Sequence, residues 1–171
     1  TGGVGWLLLT LDYLPGDQVL EWAREILESY PYRRVIVLTH AHVYSDNSLF
    51  GSKTDHNWTP EDYGISRSQG GVNSPVQVWE KLLRHFSNIS LVFNGHFTGN
   101  GVSSQDGAAR VIGISKGGNR VLQMLANYQH IPEGGSGFMR LAVCNPSESE
   151  VSVSTYSPYL DTYPVSYTHL R

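Results

Sequence analysis

Among the chain's seven histidines, His40 and His96 stand where chemistry is most readily built. His40 follows the continuous apolar run Val35-Ile36-Val37-Leu38, and His96 follows Ile89 to Phe93 through Asn94-Gly95. Such runs suit parallel strands buried on both faces. Between them Ser74-Pro75-Val76-Gln77 reads as a helix start, a capping box with proline at the first helical position. Strand, helix and strand make a βαβ unit, in which the crossover is right-handed and the strands run parallel. Both imidazoles therefore leave the sheet at its carboxyl edge, where open α/β sheets bind ligands. Neutral imidazole suits Zn, Fe, Ni and Mn-type ions, so two rings converging there form half of a metal site. From the residues alone the alternative stays open that each ring closes its strand end by hydrogen bonding.

Other polar residues gather around this pair. His42 lies two residues beyond His40, and in an extended chain would point to the same side, where it can contact a bound substrate or support the neighbouring ring, against a plain solvent-facing role. Asn94 precedes the His96 turn, where it can touch substrate, orient the loop or simply form a turn. From Val43 to Asn73 periodicity fails, as in functional or surface loops. Tyr44, Asp46, His56 and Trp58 in this loop are candidates for holding the rest of a substrate, against a plain surface role. His85 falls late in a helix and suits the dipole there. His130 has no specific reading. Gly113-Ile114-Ser115-Lys116-Gly117 fits the G-x-S-x-G nucleophile elbow, with Asp161 and His169 downstream; it requires strand, sharp turn and helix in succession.

The elements that must position these groups are legible in outline. Gly5 to Tyr13 reads as a buried strand. A helix follows from Asp17, with Val19, Trp22, Ala23, Ile26 and Tyr30 on its apolar face. Trp79, Leu82, Leu83 and Phe86 line the helix from Pro75. Arg110 to Ile114 reads as a strand, Lys116 to Asn119 as a turn, and Arg120 to Tyr128 as either strand or helix. Met139, Leu141 and Val143 alternate with Arg140 and Ala142, which suits a half-buried strand, and Val151, Val153 and Thr155 alternate again. The order is α/β first, then antiparallel β. A net charge of −3 argues against a basic nucleic-acid surface. The apolar run Val4 to Leu11 is far short of the ~20 residues that span a bilayer. The single cysteine, Cys144, excludes an internal disulfide framework and reads as a small core residue.

Taken in order, Val35-Ile36-Val37-Leu38-Thr39-His40 and later Leu91-Val92-Phe93-Asn94-Gly95-His96 resemble the calcineurin-like metallophosphoesterases. In that family one strand ends in a lone metal-binding His and a later one in Gly-His-x-His. Asn127-Tyr128-Gln129, the glycine-rich Gly134 to Gly137, Arg140-Leu141 and Thr155-Tyr156-Ser157-Pro158 are similar to the family's closing sheet. The resemblance implies a layered β-sandwich flanked by helices. It also implies hydrolysis of a small phosphate mono- or diester by a hydroxide activated between two divalent ions, of Mn, Fe or Zn type. His40 and His96 would then bind the same ion. Thr98 stands where the second His of Gly-His-x-His would bind the other ion, and a hydroxyl replaces imidazole poorly.

The family's earlier motifs, Asp-x-His, Gly-Asp and Gly-Asn-His-Asp/Glu, find no match. Gly16-Asp17 starts a helix, Asp55-His56 lacks the intervening residue, and Gly99-Asn100 is followed by Gly101. Residues 1–163 therefore read as the C-terminal part of such a domain, inactive without its N-terminal half. The tail 164–171, Ser166-Tyr167-Thr168-His169-Leu170-Arg171 included, resembles read-through of sequencing-adapter DNA, and His169 is given no role. Two alternatives are a non-catalytic binding module of the same fold, motivated by Thr98, and a serine hydrolase with Ser115 as nucleophile.

Overall fold

In the computed structural model the described residues are 3–52, 56, 71–98, 107–145, 147–148 and 150–164, with backbone alone for 168–170. Asp55, Trp58 and Gly99-Asn100-Gly101 lie outside them. The first sheet contains β1 (Trp6–Thr10), β2 (Arg34–Leu38), β3 (Ile89–Asn94), β4 (Ala108–Ile114) and β5 (Arg120–Ala126) in the order β1-β2-β3-β5-β4. The first four in that order are parallel, and β4 closes the edge as the antiparallel arm of a hairpin with β5. A second, antiparallel sheet has the order β6 (Met139–Asn145), β7 (Glu150–Tyr156), β8 (Thr168–Leu170). The fold is thus mixed α/β with a mostly sheet core. No helix among the described residues is long and apolar enough to cross a membrane.

Two helices, α1 (Asp17–Ser29) and α2 (Pro75–Lys81), cover one face of the large sheet. The capping box of α2 is formed: Ser74 Oγ accepts from Gln77 N, and Gln77 Oε1 accepts from Ser74 N. Under the helices Leu9, Val35, Val37, Ile89, Val92 and Val121 pack with Leu20, Ala23, Leu27, Trp79 and Leu83. The α1 face differs from the expected one. Leu20 and Leu27, two turns apart, centre the buried stripe, and Val19 and Ile26 flank it. Trp22 follows Leu20 by about 200° of helix rotation, so it stays half exposed, as does Tyr30.

The second sheet covers part of the opposite face, where Val153, Val151 and Cys144 pack on Leu91, Leu122 and Met124. In β6 Arg140, Leu141 and Cys144 are partly buried and Ala142 is exposed, so local alternation does not set its inward face. Arg140, Ala142 and Cys144 oppose Thr155, Val153 and Val151, and cross-strand partners share a face. The buried β7 residues therefore set the parity and turn Met139 and Val143 outward, Val143 to 66% exposure. Burial raises the Cys144 thiol pKa, offset in part by the nearby Arg34. The second sheet stops short of β1, which is an edge strand with Leu8 61% exposed.

The segment after Ser115 is a turn leading into β5, so the helix that a nucleophile elbow requires is not formed. Ser115 is buried and its hydroxyl hydrogen-bonds the Asn119 side chain within that turn.

Candidate functional site

Three neighbouring parallel strands deliver Tyr13, His40 and His96 to one place. β1, β2 and β3 all run toward the same edge, and backbone hydrogen bonds continue past their ends. Leu11 N donates to Leu38 O at 2.8 Å, Thr39 N to Phe93 O at 3.0 Å, and Gly95 N to His40 O at 3.2 Å. Thr39 Oγ1 adds a bond to Asp12 O at 3.1 Å. His40 Nε2 and His96 Nδ1 then lie 2.9 Å apart, with ring centroids separated by 4.8 Å. The Tyr13 ring packs edge-on against His40 at 5.4 Å and obliquely against His96 at 5.3 Å. Phe97 closes the other side of His96, edge-on at 4.7 Å.

The His96 backbone is strained. Its φ is +65°, and Phe97 N donates to Gly95 O at 2.8 Å, so His96 is the central residue of a γ-turn of the rarer hand. Asn127, just beyond β5, secures this turn by donating from Nδ2 to His96 O at 2.9 Å. Strained backbone of this kind costs on the order of 1–3 kcal/mol and persists only where the surroundings fix it. The His96 pKa is lowered, first by burial and then by the charge of His40. The neutral ring is thereby favoured, with one nitrogen carrying the proton and the other a lone pair, and one of the two facing nitrogens of His40 and His96 donates to the other.

Asn94 clamps the two loops. Its Oδ1 accepts from Val43 N at 2.9 Å, and its Nδ2 donates to Val43 O at 3.1 Å and to Gly95 O at 2.9 Å. It is buried, so the arrangement assigns it to orienting the His96 loop. The expected substrate contact of His42 is likewise not formed. The chain bends at His40 and Ala41, which breaks the extended alternation, and turns His42 into the interior. Its Nε2 donates to Gln123 Oε1 at 2.6 Å, and burial pushes its pKa down to about 4.

Within the long loop, Tyr44 stacks on His56 at 4.1 Å and Gly51 N donates to His56 Nδ1 at 3.0 Å. With Nδ1 accepting, the proton of the neutral ring sits on Nε2, which faces Asp46 Oδ2 at 3.4 Å and Ser48 Oγ at 3.3 Å. Ser48 Oγ donates to Asp46 Oδ1 at 2.5 Å, so the serine is not hydrogen-bonded as a nucleophile would be. Tyr44, Asp46 and His56 hold the loop together. His85 Nε2 caps Glu80 O at 2.9 Å, a structural role, and His130 is exposed.

Sequence reasoning missed Tyr13 and Asn127. The signal was present: each follows a parallel strand at the edge that identified His40 and His96.

With metal–nitrogen bonds of about 2.0–2.1 Å, nitrogens 2.9 Å apart subtend about 90° at one ion, as adjacent positions of an octahedral site do. A tetrahedral ion would need about 3.4 Å. The pair thus fits two ligands of one ion. Among the described residues, no group of three His, Cys, Asp or Glu side chains could hold a metal. Thr98 is half-buried two residues beyond His96.

The chain is 25% identical over 162 residues to the uncharacterized protein YvnB of Bacillus subtilis (strain 168), a match that covers 94% of this chain and 11% of that protein. The chain thus spans about a tenth of the length of the curated relative it matches. No family model matches it, and no solved structure matches it.

Proposed function

We propose that this chain is the C-terminal part of a metal-dependent phosphoesterase domain, with His40 and His96 as two ligands of one of its divalent ions, of Mn, Fe or Zn type. The observation that carries this reading is the 2.9 Å approach of two imidazole nitrogens at the carboxyl edge of a parallel sheet. A pair of ions in such a site supplies an activated hydroxide and neutralises charge on a phosphate ester. This chain's residues bind and orient. His40 and His96 offer lone pairs, Tyr13 and Phe97 limit water around the rings, and Asn94 and Asn127 fix the His96 turn. The remaining ligands would come from an N-terminal half of the domain, as the missing early motifs imply. The substrate class is a small phosphate mono- or diester.

The test is metal content and hydrolysis of a nitrophenyl phosphodiester by the protein with both halves present. His40→Ala and His96→Ala should each lower metal content and activity, while the 171-residue chain alone should give no metal-dependent turnover. Full activity and metal content in both variants would defeat the proposal. A non-catalytic binding module of the same fold is the second reading. It is favoured by Thr98 and by the lack of a third ligand among the described residues, and predicts metal or ligand uptake without turnover.

A further inference from the structure

At the opposite, amino edge of the large sheet lies a cleft of about 340 Å³ lined by Arg33, Arg34, Arg120, Ser87, Ser90 and other residues. The charged side chains among the described lining residues are Arg33, Arg34 and Arg120, in a chain whose net charge is −3. The arginines are placed by the fold. Arg34 opens β2 and Arg120 opens β5, with β3 between them. Both share a sheet face with residues packed toward the second sheet, Ile36 and Leu122. The β2–β3 register slips between Val35 and Ile36, which pair with Ile89 and Leu91, so Ser90 is an extra residue in β3. A bulge of this kind re-aims a side chain, and Arg34 Nη1 donates to Ser90 Oγ at 3.3 Å. Arg33 folds over Gly5, where any Cβ would approach its Nη1 to 2.7 Å. Glycine at that position leaves Arg33 room beside the cleft.

We infer that this cleft binds a small tetrahedral oxyanion of the phosphate class. Strands two places apart in a sheet are separated by about 10 Å. Guanidinium groups rising from both sides can converge on a phosphate-sized group, and arginine's planar fork matches its oxygens in pairs. The serine hydroxyls add neutral donors. Six residues of extended chain separate Arg34 from His40, roughly 20 Å, so this site is distinct from the imidazole pair and does not depend on the phosphoesterase reading.

Calorimetric titration of inorganic phosphate into the intact, chelator-treated protein at constant ionic strength tests this. Saturable binding is expected. Arg34→Gln and Arg120→Gln should each weaken it at least tenfold, Arg34→Lys less, and His96→Ala not at all. Arginine side-chain NMR of the unmodified protein, in which phosphate should shift the Arg34 and Arg120 Nε signals, keeps the test intact should a variant misfold. Absence of saturable binding would overturn the inference, as would binding lost in His96→Ala but kept in both glutamine variants.

Discussion

His42 offers a sharp test of how this fold handles charge. Burial lowers its pKa from the ordinary 6.5 to about 4, against a smaller opposing contribution from the hydrogen bond to Gln123. The folded protein therefore refuses a proton that the unfolded chain accepts between these values. Stability is complete above pH 6.5, falls as the pH drops through the window, and loses nothing more on this account below about 4. At 1.36 kcal/mol per pKa unit the shift corresponds to about 3 kcal/mol, a large part of a typical domain's stability. His42→Gln removes the titration but keeps a side-chain donor directed at Gln123. Urea unfolding followed by tryptophan fluorescence across the window, with chelator present, should show the unmodified chain losing about 3 kcal/mol more than the variant. His96, lowered in the same direction, contributes to both proteins and cancels in the comparison. Equal losses in the two would refute the account of His42 as a buried neutral group.

Further outcomes follow from the same geometry. His96→Gly should be more stable than His96→Ala by about 1 kcal/mol in denaturant melts, because only glycine takes φ +65° without strain. Asn94→Ala should cost about 2 kcal/mol by the same measurement, since it leaves the backbone groups of Val43 buried without their partner. In the protein with both halves of the domain, metal titration should show two unequal sites, the one using His40 and His96 filling first; Thr98→His should tighten the weaker site, whereas two equally tight sites in the unmodified protein would contradict the role given to Thr98.

How much of this was legible depended on which force fixed each feature. The βαβ unit from Val35 to Phe93 was readable because its strands are largely apolar and its helix carries a complete cap, so propensity and burial agree. The meeting of His40 and His96 was readable from topology alone. Three readings needed tertiary context. The α1 stripe was misplaced because Trp22 and Tyr30 are apolar and fall at helical spacing; the sequence does not say that Leu20 and Leu27 face the sheet instead. In β6 both alternating sets, Met139-Leu141-Val143 and Ala142-Cys144, contain apolar residues. Pairing with β7 decided between them, and no local signal could. His42 was misread because a bend at His40 and Ala41 is invisible to a period-two rule.

The geometry around His96 bears on whether the two histidines merely close strand ends. A closing histidine needs one hydrogen bond and no unusual backbone. His96 occupies a left-handed γ-turn, is partly desolvated, and has its carbonyl held by Asn127 from just beyond the end of β5. His40 is placed by a strand whose end is tied to β1 through Thr39 and to β3 through Gly95. Strain of order 1–3 kcal/mol with fixation from three sides is costly for a hydrogen bond worth about 1 kcal/mol net. The same arrangement suits two ring nitrogens held at fixed separation, one donating to the other until a bound ligand replaces that proton, which is the preorganisation a binding site needs. This imbalance favours a ligand-holding role for the pair over a capping role, independently of which ion or ester it serves.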